Sequence, residues 1–259
     1  MPNINNWENK EERAKKAKTH TAEMTKKYKE QIAGSIENST IYSLIIPEAE
    51  NSKTKIIVED IDSVGAVFKY VSDKTTAVLN FASYKHPGGM FLNGSRAQEE
   101  CLCHESTLYN VLSANQFEKF YEQNKKTLNR SLYTDRAIYS KDIVFEREGK
   151  EVYCDVITCA APNRSAAKKY GLVSEEENLR TLENRISFVM NIAKTQNVKT
   201  LILGAFGCGV FGQDPDVVAK CFKNWINENK HDFDMIVFAV PKLTNPENYN
   251  AFRKVFLNF

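Results

Sequence analysis

Short, nearly continuous apolar runs recur along the chain, and between them apolar residues repeat every three or four positions. The runs TAVLNFA (76–82), VYCDVITC (152–159), TLIL (200–203) and MIVFAV (235–240) have the length and content of buried strands. A shorter strand is expected over 54–59. The longer repeats predict helices. Asp62 or Ser63 is placed to cap one over 64–71. A second should run from Gln98 to about Gln123. Ser174, with Glu177 three residues on, reads as a capping box opening another. Asp214-Pro215 and Asn245-Pro246 each precede a helix, with Pro at its first position. The last of these carries Val255, Phe256, Leu257 and Phe259. At the other end, 7–33 reads as one long charged helix with Ala14, Ala17, Met24, Tyr28 and Ile32 on a single stripe. Residues 124–150 are polar and are expected to be a long connection or a hairpin insertion.

Strands buried on both faces read as unbroken apolar runs, whereas a half-exposed strand alternates. The pattern therefore predicts a three-layer α/β/α sandwich. Residues 1–40 would be a helical extension packed on the core, and 41–259 a single domain. With 42% hydrophobic and 26% charged residues, the chain is ordinary for a globular protein, which excludes disorder throughout. The net charge of +2, from 35 basic and 33 acidic residues, is too small for a field that grips nucleic acid. No DNA-specific binding is expected. None of the 6 cysteines forms a C-x-x-C pair. The polar N-terminus has no apolar h-region, and no apolar run approaches membrane-spanning length. A cytoplasmic monomer with reduced thiols is the expectation, and the sequon at Asn38 then has no glycan to carry.

Two glycine-rich loops each follow a buried strand: HPGGMFLNGSRAQEE (86–100) and GAFGCGVFG (204–212). Ligands of open α/β sheets sit beyond the carboxyl ends of the strands. Glycine there lets backbone N–H groups approach phosphate oxygens. Two such loops can clamp a diphosphate. Neither is a Walker A motif, since no G-K-[ST] is present. The second lies too near the chain's end to be the dinucleotide fingerprint of a first βα unit. The first loop runs into Gln98-Glu99-Glu100 where a helix begins. Residues adjacent on a helix point about 100° apart, so the two glutamates divide their work. A carboxyl group beside a diphosphate holds its proton to a higher pH, as a general acid for glycosidic cleavage must. His86 and His104 flank the loop without metal-like spacing. Cys208 reads as a small residue that fits, and Phe117, Phe120 and Tyr121 as helix core.

The run NFASYKHPGGMFLNGSRAQEECLCHESTLY (80–109) resembles the signature of bacterial-type poly(ADP-ribose) glycohydrolases, a Gly-Gly-Gly loop followed closely by Gln-Glu-Glu. The stretches AAPN (160–163) and LGAFGCGVFGQDPDVVA (203–219) and the charged N-terminal helix are similar to the same family, in order over nearly the whole chain. The resemblance implies a macrodomain-like fold with a mixed sheet and ADP-ribose at the strand ends, and needs no cofactor or metal. It implies Glu100 as catalytic acid and Glu99 as holder of the hydroxyls of the ribose at the scissile bond. Asn80, Gln98 and Asn163 would line the site. The diphosphate would lie between the Gly88, Gly89, Met90 loop and the Gly207, Cys208, Gly209, Val210 loop, with Phe211 against the ribose. Adenine is expected near Glu59 to Asp62.

Met90 stands where the family has its third glycine. If that position needs a left-handed backbone, methionine strains it. If its side chain faces the cleft, it alters substrate preference. The rival to a hydrolase is a macrodomain that only binds ADP-ribose on modified proteins, or one directed at single ADP-ribose units. A nucleotide phosphatase would want an acidic metal cluster, and none lies near either loop.

Overall fold

The apolar runs pair side by side in one sheet. The computed structural model describes residues 9–43, 53–72, 75–243 and 245–257. In chain order its strands are β1 (Thr40–Tyr42), β2 (Lys55–Glu59), β3 (Thr76–Phe81), β4 (Ala137–Arg147), β5 (Lys150–Cys159), β6 (Thr200–Leu203) and β7 (Met235–Ala239). The sheet order is β1-β4-β5-β3-β6-β7-β2. From β5 through β3, β6 and β7 to β2 the pairing is parallel, while β4 runs antiparallel to both β5 and β1. This is the expected mixed sheet.

Successive side chains on a strand point to opposite faces, and two cores result. Ala77, Leu79, Leu201, Leu203, Ile236 and Phe238 face one side. There they meet α8 (Glu175–Thr195), α9 (Pro215–Glu228) and α10 (Pro246–Phe256). Val78, Ile202 and Val237 face the other. On that side lie α1 (Lys10–Lys27), α2 (Lys29–Asn38), α3 (Ser63–Tyr70), α4 (Gln98–His104), α5 (Leu108–Leu112) and α6 (Glu118–Lys126). A short α7 (Arg164–Tyr170) precedes α8. Burying one such side chain contributes about 1.5–3 kcal/mol, so the doubly covered strands hold the sheet rigid beneath its loops. No helix among the described residues is long and apolar enough to cross a membrane.

Several expectations need correction. The N-terminal helix is two, broken at Tyr28, whose backbone has left the helical region (φ −119°, ψ 36°). The Tyr28 hydroxyl lies 2.9 Å from Glu146 and 2.6 Å from Glu151 on the β4–β5 hairpin. The stripe survives the break: Ala17, Met24, Tyr28 and Ile32 are all buried. Residue 7, where this helix was expected to start, and residue 259 lie outside the described residues. The helix expected over 98–123 is α4, α5 and α6. Thr107, in the first gap, exchanges backbone and side-chain hydrogen bonds with Val144 of β4, and a continuous helix forbids that pairing. Of the two readings of 124–150 the hairpin holds in part, since its second half is β4, paired with β5. The register shift between Ser140 and Ile143 interrupts its apolar pattern and hid it. Ser174 caps α8 through the Glu177 N–H at 3.1 Å. The Glu177 carboxylate turns instead to Arg130, so the capping box is half made.

Candidate active site

The alternation that sends Val78 toward α4 sends Asn80 the same way, two residues on. Asn80 is fully buried, and its Nδ2 donates to Glu99 Oε1 at 3.1 Å and to Thr158 Oγ1 at 3.3 Å. Its Oδ1 has no partner among the described residues. Gln98 clips the first turn of α4 to the end of β3. Its Oε1 accepts the Phe81 N–H at 2.8 Å, and its Nε2 donates to the Leu79 carbonyl at 2.9 Å and to Ser63 Oγ at 3.0 Å. That clip brings both glutamates beneath the first glycine loop.

Glu99 and Glu100 are only 3% and 6% exposed. Glu99 Oε2 accepts the Ser83 N–H at 2.7 Å. Glu100 accepts two backbone N–H groups, from Met90 at 2.9 Å and Ala97 at 2.8 Å. Although they leave the helix in different directions, the two carboxylates converge on Gly89. A β-carbon there would lie 2.6 Å from Glu100 Oε1 and 2.9 Å from Glu99 Oε2, and the backbone φ is +62°. Glycine is thus required twice over, for space and for the left-handed conformation. Burial pushes the Glu99 pKa up to about 8; the Ser83 and Asn80 hydrogen bonds oppose it and the neighbouring Glu100 charge adds to it. For Glu99 the proton-holding environment arises from burial first rather than from a phosphate.

Met90 does not strain the loop. Its φ is −110°, which any residue adopts, and its side chain is 46% exposed. Its N–H holds Glu100. Gly88 lies against Tyr109 and Cys103.

Since β3 and β6 are neighbours, the second glycine loop leaves the sheet beside the first. The Cys208 N–H is held by the Ala205 carbonyl and the Gly212 N–H by that of Gly209. The N–H groups of Gly209, Val210 and Phe211 have no acceptor among the described residues. A β-carbon on Gly209 would meet nothing within 4 Å, and Val210 is 85% exposed. This is an open rank of donors, as an anion cradle needs. The Ser165 N–H donates to the Phe211 carbonyl at 3.0 Å, and Asn163 Oδ1 caps α7 through Ala166 at 3.0 Å, so the start of α7 anchors the loop. Burial pushes the Cys208 thiol up to about 12, and it stays a neutral filler. The Phe211 ring meets the edge of Tyr133 at 6.0 Å, and Tyr133 stacks on Tyr84 at 4.3 Å.

The structure therefore gathers Asn80, Gly88, Gly89, Met90, Glu99 and Glu100 around the first glycine loop. It places Gly207 to Phe211, with Asn163 behind them, beside it. His104 is no base in waiting: burial, then the charges of His20, Lys16 and Arg13, lowers it to about 4, and it packs on Phe91 at 4.6 Å. Near the expected adenine position, Asp62 caps α3, Asp60 accepts the Lys242 N–H at 2.7 Å, and Glu59 is engaged by Lys69 and Tyr70. Sequence reasoning missed Ser83, Thr158, Tyr84 and Tyr133. Tyr133 sits in a polar connection with no periodic pattern to mark it, at a positive φ of 62°. Ser83 directly follows an apolar run, a position from which a strand-end N–H was readable.

The comparisons point to one family. No curated protein matches the sequence. Among solved structures, poly(ADP-ribose) glycohydrolase from Thermomonospora curvata is 28% identical with a TM-score of 0.85, over 95% of this chain and 100% of that one. The same protein bound to the inhibitor ADP-HPD is also 28% identical, with a TM-score of 0.82 over 94% and 99%. The enzyme from Deinococcus radiodurans in complex with ADP-ribose is 30% identical, with a TM-score of 0.79 over 87% of this chain and 97% of that one. The family profile described as the microbial-type PARG catalytic domain matches residues 8–148. On sequence over more than half its length, and on a macrodomain-like fold that carries the glycine loops and paired carboxylates, the chain belongs to the microbial-type poly(ADP-ribose) glycohydrolase family.

Proposed function

We propose that this chain cleaves the ribose–ribose O-glycosidic bonds of poly(ADP-ribose), with Glu100 as the catalytic acid. The observation that carries the reading is the convergence of two buried carboxylates on the backbone of Gly89. A protonated Glu100 gives its proton to the leaving ribose oxygen. The C–O bond breaks with its electron pair going to that oxygen, and an oxocarbenium-like centre develops at the anomeric carbon. The Glu100 carboxylate stabilises this centre and then takes a proton from the water that adds to it, which restores the acid. The Met90 and Ala97 N–H groups hold the carboxylate in place during both steps. Glu99, kept neutral by burial, and Asn80, with its unpartnered Oδ1, bind the hydroxyls of the same ribose. The Gly209, Val210 and Phe211 N–H groups receive the diphosphate, and the Phe211 ring packs on the ribose. ADP-ribosylated proteins are the natural partners of such a cleft, and nothing in this chemistry calls for a second subunit.

Product analysis decides between this reading and a binder. The purified protein should release ADP-ribose from polymer. Glu100→Ala should lose activity by about a hundredfold or more while ADP-ribose still binds in calorimetric titration. Polymer left intact by a protein that binds ADP-ribose would establish the binder instead. Release from singly modified protein would show that the preference lies with single units.

A further inference from the structure

Along the sheet, the cleft has a direction. The carboxylates lie under the end of β3, the anion cradle follows β6, and the expected adenine position follows β2 at the far edge. The reacting bond is therefore at the β3 end, and whatever adjoins it across that bond leaves toward β5 and β4. On that side the turn after β3 meets the end of α6. Asn124 Nδ2 donates to the Tyr84 carbonyl at 2.8 Å, and the Tyr84 hydroxyl reaches the Thr127 carbonyl at 3.2 Å and Thr134 Oγ1 at 2.7 Å. Arg136, just before β4, holds Asn124 Oδ1 at 2.7 Å and Gln123 Oε1 at 2.8 Å. The residues that follow the joined pair Tyr84 and Asn124 are Lys85 and Lys125, and Lys126 comes next. All three lysines are exposed, as is His86, and none has an ion-pair partner among the described residues. Glu122, one turn earlier on α6, pairs with none of them. Burial lowers the His86 pKa, and the charges of Lys125 and Lys85 lower it further.

We infer that Lys85, Lys125 and Lys126 form a second anion site that receives the diphosphate of the ADP-ribose unit adjoining the scissile bond. This rests on the reading of the cleft above. A polymer brings one diphosphate into the glycine cradle and must carry the next across the surface beyond the reacting bond. Unpaired cations on a braced turn and on the helix end joined to it suit that charge, and a single ADP-ribose never reaches them.

The test measures binding without turnover, in a Glu100→Ala background, with purified poly(ADP-ribose) and with ADP-ribose. Lys85→Gln, Lys125→Gln and Lys126→Gln combined should weaken polymer binding roughly tenfold at low salt, and the gap should close as salt screens the contact. ADP-ribose affinity should stay within about twofold, because the glycine cradle is untouched. Polymer affinity unchanged by the three substitutions overturns the site, as does a parallel loss for both ligands. If the protein with Glu100 intact binds polymer through these lysines yet releases no ADP-ribose, the site stands and the hydrolase reading falls.

Discussion

Glu99 holds its proton to about pH 8 because it is buried, against the usual 4.5. Between those values the folded protein keeps a proton that the unfolded chain has released, so this group's contribution to stability is full at low pH and is lost as pH rises toward 8. The slope approaches about 1.4 kcal/mol per pH unit. Glu99→Gln removes it. Urea unfolding of the two proteins at pH 5, 6, 7 and 8 should show the advantage of the unsubstituted protein over the variant shrinking steadily, and a constant difference would mean that Glu99 is already ionised when folded. The second glycine loop offers a sharper contrast. A β-carbon at Gly207 would lie 2.8 Å from Ala161 Cβ and 3.0 Å from Gln213 Cγ. Gly207→Val should therefore lower stability by about 1–3 kcal/mol before any ligand is added. Gly209→Val meets open space, so its melting temperature should hardly move while ADP-ribose affinity drops about tenfold through lost backbone approach. Equal melting temperatures for the two variants would contradict this division.

The helix α1 braces the first glycine loop directly. Arg13 Nε donates to the Gly94 carbonyl at 2.6 Å, and a β-carbon on Gly94 would lie 2.1 Å from the Lys10 carbonyl oxygen. Within the loop, the Gly94 N–H bonds back to Phe91 and the Ser95 N–H to Met90, the residue that holds Glu100. Arg13 is thus a positioning residue acting through the loop backbone. Arg13→Ala should lower kcat roughly tenfold, in line with a lost charge-assisted hydrogen bond, and leave the ADP-ribose dissociation constant within twofold. Arg13→Lys should recover part of the rate. A fall in affinity matching the fall in rate would show a general loosening instead. This contact was invisible beforehand, since the stripe of Ala17, Met24 and Ile32 shows that the helix packs but not on what. Strands β3, β5, β6 and β7 were legible because burial on both faces writes itself as an apolar run. The breaks at Tyr28 and Thr107 were not, because each is made by a partner on the distant β4–β5 hairpin.

Across the whole molecule, the sandwich and the pairing of two glycine loops with two carboxylates were readable from residue order alone. What lay beyond it was three-dimensional: which neighbours each strand takes, how α7 supports Phe211, and how the aromatic pair Tyr84–Tyr133 ties the reacting end of the cleft to the connection before β4. The sheet order has a consequence for how the chain comes into being. β3, the strand that carries Asn80 and launches the catalytic loop, pairs with β5 and β6, both of which follow it by a long stretch of chain. β2 waits longer still, since its one neighbour in the sheet is β7. A growing polypeptide therefore emerges from the ribosome with its apolar β3 unpaired on both edges. The N-terminal helices meet the same delay, because Tyr28 finds its carboxylates only when the β4–β5 hairpin has formed. Such a topology completes the site late in synthesis. It also leaves TAVLNF exposed as a sticky segment in the meantime, a hazard for aggregation that falls on expression rather than on the finished enzyme.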